Sequence, residues 1–216
     1  MNTILEIKTG QPSWWIKLQT AGQSLLFHNV PGVEFIHEPI AHTYHLNGLE
    51  LPSITQLLKH FELTADGFYT QQGAGRGKAV HACLDLFDRG EIDKYEVDAV
   101  CLPYLEAYKL FLKETGWKST LIETPGFNLQ HRFAGTPDRR GYFKKPSKKI
   151  QRFRLRLKDN GKYSCKEIES DLEADRADFL ALVRTFWIQK EKGLSKGYSR
   201  DGRENEKQNG KSGNVK

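Results

Sequence analysis

Glu6 and Lys8 stand two residues apart in an otherwise apolar run near the start of the chain. Side chains two positions apart on a β-strand point to the same face, so a strand here presents a carboxylate beside an ammonium group. A second carboxylate, Asp138, would complete a set that can hold a divalent cation and direct a water molecule at a phosphate ester. Two plainer interpretations stay open: an edge-strand ion pair between Glu6 and Lys8, and an ordinary turn at Pro137-Asp138.

The elements that must position these groups follow from apolar spacing and turn residues. Ser13 and Ser53 are expected to cap helices, and Asn47-Gly48 is typical of a hairpin turn. The predicted strands span residues 3–8, 33–36, 42–46, 120–123, 132–134, 139–143, 150–157 and 162–166. The predicted helices span residues 13–27, 53–60, 75–88, 101–115 and 170–192. This mixed order predicts an α/β fold with helices covering a central sheet.

The composition narrows the class of protein. A chain of 216 residues that is 38% hydrophobic is long enough for one globular α/β domain. It contains neither an apolar run long enough to cross a membrane nor a secretory signal, so we expect a cytoplasmic protein with no membrane partner. Its three cysteines are widely spaced and read as reduced thiols. They form no CxxC pair and no Cys/His cluster, so neither a structural zinc nor a four-cysteine iron–sulfur site is expected.

The positive charge is concentrated in one segment. Residues 144–158 contain eight basic residues and no acidic one, although the whole chain has a net charge of only +6. This asymmetry suggests a polyanionic partner, with a solvated basic strand as the alternative. Within the segment, arginines alternate with apolar residues and should share one face of a strand. The candidate contacts to a nucleic-acid backbone are Lys148, Lys149, Arg152, Arg154 and Arg156.

Further motifs accompany the two carboxylates. They are Arg76-Gly77 followed by His81, then Glu123, then Gly135-Thr136-Pro137-Asp138, and Gln19 after Glu6-Ile7-Lys8. Together they resemble the PD-(D/E)XK nuclease superfamily, and most closely its RecB-like exonuclease branch. The resemblance covers residues 1–192 and implies a mixed central β-sheet flanked by helices, a restriction-endonuclease-like core, with an extra β-hairpin.

The resemblance implies a metal site made of Asp138, Glu6, His81 and the backbone carbonyl of Ile7. The cofactor would be Mg²⁺ or Mn²⁺, and a neutral imidazole suits Mn²⁺ better. Lys8 would orient the attacking water, stabilise the developing charge, or act as a base. For His81, a purely structural role is the alternative.

Other residues would support this site. Glu123 would bind the metal through water or hold Lys8, and a surface role is its alternative. Gln19 would bond a phosphate or Lys8, although the tyrosine of the family's QxxxY motif is replaced here by Gln23. Arg76 belongs to the supporting set through its motif. Trp14 could stack on an unpaired base, or be part of an ordinary half-buried tryptophan pair.

The order of the motifs differs from that of the family. Here the Glu6–Lys8 strand and the Gln19 helix come first, whereas in relatives they follow the Pro-Asp motif. Moving residues 2–28 to a point between Phe143 and Lys144 would restore the family order, so we predict a rearranged strand order in which this block docks beside the 139–143 strand. Exchange of the block between two protomers is the alternative.

The resemblance implies a metal-dependent DNA nuclease. We expect a single nuclease domain over residues 1–192, with a displaced block at 1–28, and a disordered basic tail over 193–216. The expected activity is exonucleolytic, on single-stranded DNA or duplex ends, in recombination or repair in a bacterial cell or phage-infected host. The alternatives are an inactive DNA-binding module on the same fold and a restriction-type endonuclease. A recombination partner protein and an oligomer stay open.

Overall fold

A computed structural model describes residues 3–9, 14–64, 70–92, 97–144 and 147–194. The predicted cap Ser13 and most of the predicted tail lie outside these ranges. The strands are β1 Thr3–Lys8, β2 Phe35–Glu38, β3 Thr43–Leu46, β4 Leu49–Leu51, β5 Trp117–Ile122, β6 Gly126–Asn128, β7 Phe133–Gly135, β8 Arg139–Phe143, β9 Gln151–Leu157 and β10 Tyr163–Glu167. The helices are α1 Ile16–Gln23, α2 Ile54–His60, α3 Gln71–Asp88, α4 Leu102–Thr115 and α5 Leu172–Glu191.

The first strand of the chain lies in the middle of the central sheet. The strand order is β10-β9-β1-β8-β5, with β1 antiparallel to β8 and parallel to β9. Thr3 pairs with Gly141 on one side and with Gln151 on the other. The predicted mixed central sheet flanked by helices is confirmed. β1 lies beside β8, the strand next to which the N-terminal block was predicted to dock.

The two faces of the sheet pack against different helices. Leu5 and Ile7 of β1 lie in a core with residues of α3 and α4, including Val80 and Phe111. The opposite face is covered by α1, which packs on α5. Since side chains alternate along a strand, Glu6 points toward α1, away from the core that contains Leu5 and Ile7. A carboxylate is therefore buried in the middle of the sheet, under a helix.

Glycine allows α1 to approach α5 closely. A Cβ atom at Gly22 would lie 2.7 Å from the ring of Phe179, which is fully buried. The core on this side also contains Trp15, Leu18 and Val183. Close contact between these two helices fixes α1 over the sheet.

A second, smaller sheet forms where a hairpin was predicted, and it is called the front sheet below. Its order is β2-β3-β4, and Asn47 and Gly48 connect β3 to β4 with φ values of 48° and 78°. Positive φ at both positions is typical of the predicted hairpin turn. The helix α2 follows, and Ser53 caps it through a capping box with Gln56, as predicted. The three-residue strands β4 and β6 were not predicted.

Among the described residues, no helix has the length and apolar character needed to span a membrane.

Candidate functional site

Three strands bring the candidate residues to one edge of the sheet. The ladder between β1 and β8 ends at the pair Leu5 and Arg139, so Asp138 lies just beyond it. The Asp138 Oδ2 atom accepts a hydrogen bond of 2.6 Å from the backbone nitrogen of Ile7, in place of a strand carbonyl. In a β-strand, the N–H and C=O of one residue point to the same side, so the Ile7 carbonyl also faces this edge.

Glu123 reaches the same edge from the end of β5. Its backbone nitrogen donates to the backbone oxygen of Asp138 at 3.0 Å. Its φ of 42° is in the left-handed region, which few residues other than glycine adopt. Strained backbone of this kind concentrates at functional sites.

His81 completes the group from α3. Its Nδ1 atom lies 3.3 Å from Glu123 Oε1 and 3.8 Å from Asp138 Oδ1. Among the described residues, these three form the group of side chains that could hold a metal ion, with ligand atoms within 4.8 Å of one another. Two carboxylates and one imidazole suit Mn²⁺, and the carboxylates alone suit Mg²⁺, so the residues fit the expected cofactor.

The electrostatics of this group favour a positive charge at its centre. Burial alone would lower the pKa of His81, but the negative charges of Asp138 and Glu123 outweigh it and raise the pKa from 6.5 to about 9. The protonated imidazole of His81 therefore supplies the positive charge that faces the two carboxylates. A divalent cation that replaced this proton would balance the same two carboxylates.

Glu6 lies beside this group but outside it. Its Oε1 atom accepts from Lys8 Nζ at 2.6 Å and from Gln19 Nε2 at 2.5 Å. Its Oε2 atom accepts from Gln23 Nε2 at 3.0 Å. Burial and the charge of Asp138 raise the pKa of Glu6, although the charge and hydrogen bond of Lys8 act in the opposite direction. Glu6, predicted as a metal ligand, thus sits in a hydrogen-bonded network that holds Lys8, while Glu123, predicted as a support, belongs to the group of side chains that could hold a metal ion.

The helix α1 supplies two glutamines to this network. Gln19 and Gln23 are four residues apart and share one face of the helix. Gln23, which occupies the place of the family's tyrosine, was given no role from the sequence, although its spacing from Gln19 was the available signal. Lys8 Nζ also lies 5.7 Å from the ring centre of the buried Trp15, whereas Trp14 is 62% exposed.

A buried hydrogen-bonded network, which no sequence pattern indicated, holds Asp138 and Glu123 in position. The fully buried Arg139 donates from Nε to Asp88 Oδ2 at 2.6 Å. Its NH1 atom lies 2.7 Å from the backbone oxygen of Asp138 and 3.4 Å from Glu123 Oε1. The Tyr108 hydroxyl donates to Asp88 at 2.9 Å. Arg139 therefore fixes Asp138 and Glu123 relative to α3 and α4, and no local pattern indicates this long-range contact.

The arginines of β9 share one face as predicted, but they have different environments. Arg152 is 3% exposed, and its NH1 atom donates to Asp175 Oδ2 at 2.8 Å. Its NH2 atom donates to the backbone oxygen of Ser170 at 2.8 Å. The guanidinium of Arg152, a predicted DNA contact, is covered by α1 and α5 and bonded inside the protein, unlike those of Arg154 and Arg156.

Arg154 and Arg156 lie nearer the site. They pair across the sheet with Glu6 and Lys8, so their side chains are on the same face as those residues. Both are partly buried, and no carboxylate of the described residues lies within ion-pair distance of either. The Nε atom of Arg156 is buried without a hydrogen-bond partner among the described residues. Guanidinium groups without a carboxylate partner are able to bind an anion.

The remaining predicted contacts lie apart from the site. Lys148 and Lys149 are exposed before the start of β9, at the Thr3 end of β1. Glu6 pairs with Arg154, so at 3.3 Å per residue they are roughly 17–20 Å from Glu6 along the strand direction. Arg76 is exposed on α3 and belongs to neither hydrogen-bonded network.

No protein-family model matches the chain, and a search of curated proteins finds no significant relative. The function must therefore be inferred from the geometry of the site.

Proposed function

We propose that the chain is a divalent-metal-dependent deoxyribonuclease with a restriction-endonuclease-like core, acting as an exonuclease on single-stranded DNA or DNA ends. The observation that carries this proposal is the central position of β1. It joins Glu6 and Lys8, at the start of the chain, to Asp138, Glu123 and His81 at one sheet edge. A role in recombination or repair in a bacterial cell or phage-infected host is part of the proposal.

Three side chains are suited to holding the cation. Asp138, Glu123 and His81 offer ligand atoms within 4.8 Å of one another, and the Ile7 carbonyl faces the same edge. When bound, Mg²⁺ or Mn²⁺ supplies an acidified water and neutralises charge on the phosphate. Asp138 is held in place by the Ile7 N–H, and Arg139 keeps Glu123 beside it.

Lys8 is suited to act as a cationic donor to the attacking water or to a phosphate oxygen. A carboxylate at 2.6 Å stabilises its ammonium form, which argues against its use as a general base. Glu6 in turn is held by Gln19 and Gln23 of α1. The network thus fixes the direction of the Lys8 side chain.

The same face of the sheet offers a path for the DNA backbone. Arg156 pairs with Lys8 and Arg154 with Glu6. Two guanidinium groups that have no carboxylate partner among the described residues therefore lie next to the site. Each phosphate neutralised by such a group adds a salt-dependent contribution to affinity. Trp14, exposed before α1, is available for stacking on an unpaired base.

The test is digestion of end-labelled linear DNA, single- and double-stranded, with Mn²⁺ or Mg²⁺ and with EDTA. Lys8→Ala and Asp138→Ala should each lower the rate by about a hundredfold or more, since each removes a group aimed at the reacting phosphate or its metal. The matched controls are Lys113→Ala on α4 and Asp178→Ala on α5, which are exposed residues of the same types outside the site.

Each outcome of this test supports or rejects one functional interpretation. Metal-dependent cleavage lost in both site variants and kept in both controls supports the nuclease. Activity that survives either site substitution rejects this site. DNA binding without cleavage would instead indicate an inactive binding module, and discrete fragments from circular DNA would indicate a restriction-type endonuclease.

A further inference from the structure

A cleft lies beside the candidate metal centre, between α1, α2 and the small front sheet. Its volume is about 640 Å³, within the range of pockets that hold a single small molecule. Glu123 and Thr136 lie along it, so the cleft is continuous with the edge that carries Asp138. A mononucleotide is a molecule of this size, whereas a stacked duplex is much larger.

The cleft contains buried polar atoms without hydrogen-bond partners. Gln23 is 2% exposed, and its Nε2 atom must face Glu6 because a carboxylate only accepts hydrogen bonds. Its Oε1 atom, like that of Gln19, is therefore left without a partner among the described residues. The His37 Nε2 atom, from the front sheet, is unpartnered in the same way. Such atoms are costly to bury, and they would gain a partner if these side chains turned toward a polar ligand in the cleft.

The other side chains of the cleft indicate what kind of ligand this is. His37 stacks on Tyr44 with ring centres 4.7 Å apart, which gives the front wall a flat face. Lys59 of α2 and His42 also line the cleft and add basic groups. Flat rings, amide oxygens and basic side chains in one cleft suit a nucleobase with its phosphate.

The front wall is also connected to the metal centre. The Tyr44 hydroxyl lies 2.9 Å from the Thr136 hydroxyl, two residues before Asp138. A ligand that contacts this wall would therefore be held at a fixed position relative to the carboxylates.

We infer that this cleft binds one nucleotide of the DNA strand, next to the phosphate that is cut and with its base unpaired. The inference rests on the proposed nuclease function and deepens it, because it makes single-stranded DNA the substrate. A nucleotide that remains base-paired cannot place its base in the cleft, so a duplex must be opened before its end can be cut.

The test blocks the cleft without disturbing the metal centre. Thr55 is exposed on α2 and lines the cleft, so Thr55→Trp fills it from the solvent side. Lys113→Trp adds the same side chain on α4, on the other side of the central sheet. The probes are deoxyadenosine and deoxythymidine monophosphates, with inorganic phosphate for comparison, titrated by calorimetry. A single-stranded oligonucleotide and a blunt duplex with the same sequence serve for cleavage.

The expected result is that both mononucleotides bind the wild type, inorganic phosphate binds less tightly, and Thr55→Trp weakens the nucleotides by about tenfold or more. Lys113→Trp should match the wild type, and Mn²⁺ should stabilise all three proteins equally. Single-stranded cleavage should fall in parallel with nucleotide affinity.

Two results would overturn the inference: unchanged cleavage by Thr55→Trp, or a blunt duplex cut as fast as the single strand. Either would leave the nuclease function in place. A third result is also informative: the wild type binds nucleotides, Thr55→Trp does not, and neither protein cuts DNA. That result would reject the nuclease function but support a nucleotide-binding cleft.

Discussion

Replacing Arg152 by leucine should destabilise the protein strongly, because Arg152 neutralises a buried carboxylate. Its guanidinium bonds Asp175 at 2.8 Å, and both side chains are less than 5% exposed. Removing one partner of such a pair typically costs about 3–5 kcal/mol. Asp175 would retain the Ser170 hydroxyl at 2.5 Å and Lys17 Nζ at 3.8 Å, so we expect the lower end, about 3 kcal/mol.

Urea denaturation measures this loss directly. With a slope of about 2–3 kcal/mol per molar urea, the midpoint should fall by about 1 M. The matched control is Arg154→Leu, on the same strand and face but without a carboxylate within ion-pair distance, which should change stability by no more than about 0.5 kcal/mol. Adding Asp175→Leu to Arg152→Leu should recover part of the loss, since no uncompensated charge is then buried.

The reasoning would be refuted if Arg152→Leu lost less than about 1 kcal/mol and bound DNA more weakly than Arg154→Leu. That pair of results would mean that the guanidinium is exposed in solution. Arg152 would then return to the set of DNA contacts.

Three other measurements test the site. The pKa of His81 is raised from 6.5 to about 9 in the folded protein, so the charged imidazole stabilises the fold fully below pH 6.5 and this stabilisation is lost as the pH rises through 9. Cation binding between pH 6.5 and pH 9 should therefore release a proton from His81. Calorimetry in buffers of different ionisation enthalpy counts that proton, and a count unchanged in His81→Gln would contradict the assignment. Arg156→Gln should reduce the slope of log affinity against log salt by about 1, and an unchanged slope would remove Arg156 from the DNA path. Gly22→Ala should destabilise the protein by about 1–3 kcal/mol, because its Cβ meets Phe179, and thermal unfolding at wild-type temperature would show that α1 lies elsewhere.

Local patterns predicted the elements that depend on local chemistry. The strand Arg139–Phe143, the cap at Ser53 and the turn at Asn47-Gly48 were all predicted within the bounds that the structure gives. The strands β4 and β6 were missed, although β7, which is equally short, was predicted. The alternation in β9 indicated which residues share a face, but it could not say which helices cover that face, so it did not indicate that Arg152 is buried.

The candidate site likewise contains residues that the sequence predicted and residues that depend on long-range contacts. The resemblance to a nuclease family selected Asp138, His81 and Glu123, which the structure brings together. It could not indicate that Glu6 is bonded to Gln19 and Gln23, because those bonds depend on where α1 places its amides. Arg139 and its contact with Asp88 were invisible because the two residues are 51 positions apart and neither belongs to a motif.

The central position of β1 also constrains how the protein is made. Ile7 and the Asp138 carboxylate that it contacts are 131 residues apart, so the first strand emerges from the ribosome long before its neighbours exist. Until β8 and β9 have been synthesised, the apolar segment Thr3–Lys8 has unpaired backbone groups on both sides. Contacts between such distant residues slow folding, and an unpaired apolar strand invites association with other chains. During synthesis, the residues that complete the site are therefore also those that need protection from aggregation, by a chaperone or by rapid packing of α1 over them.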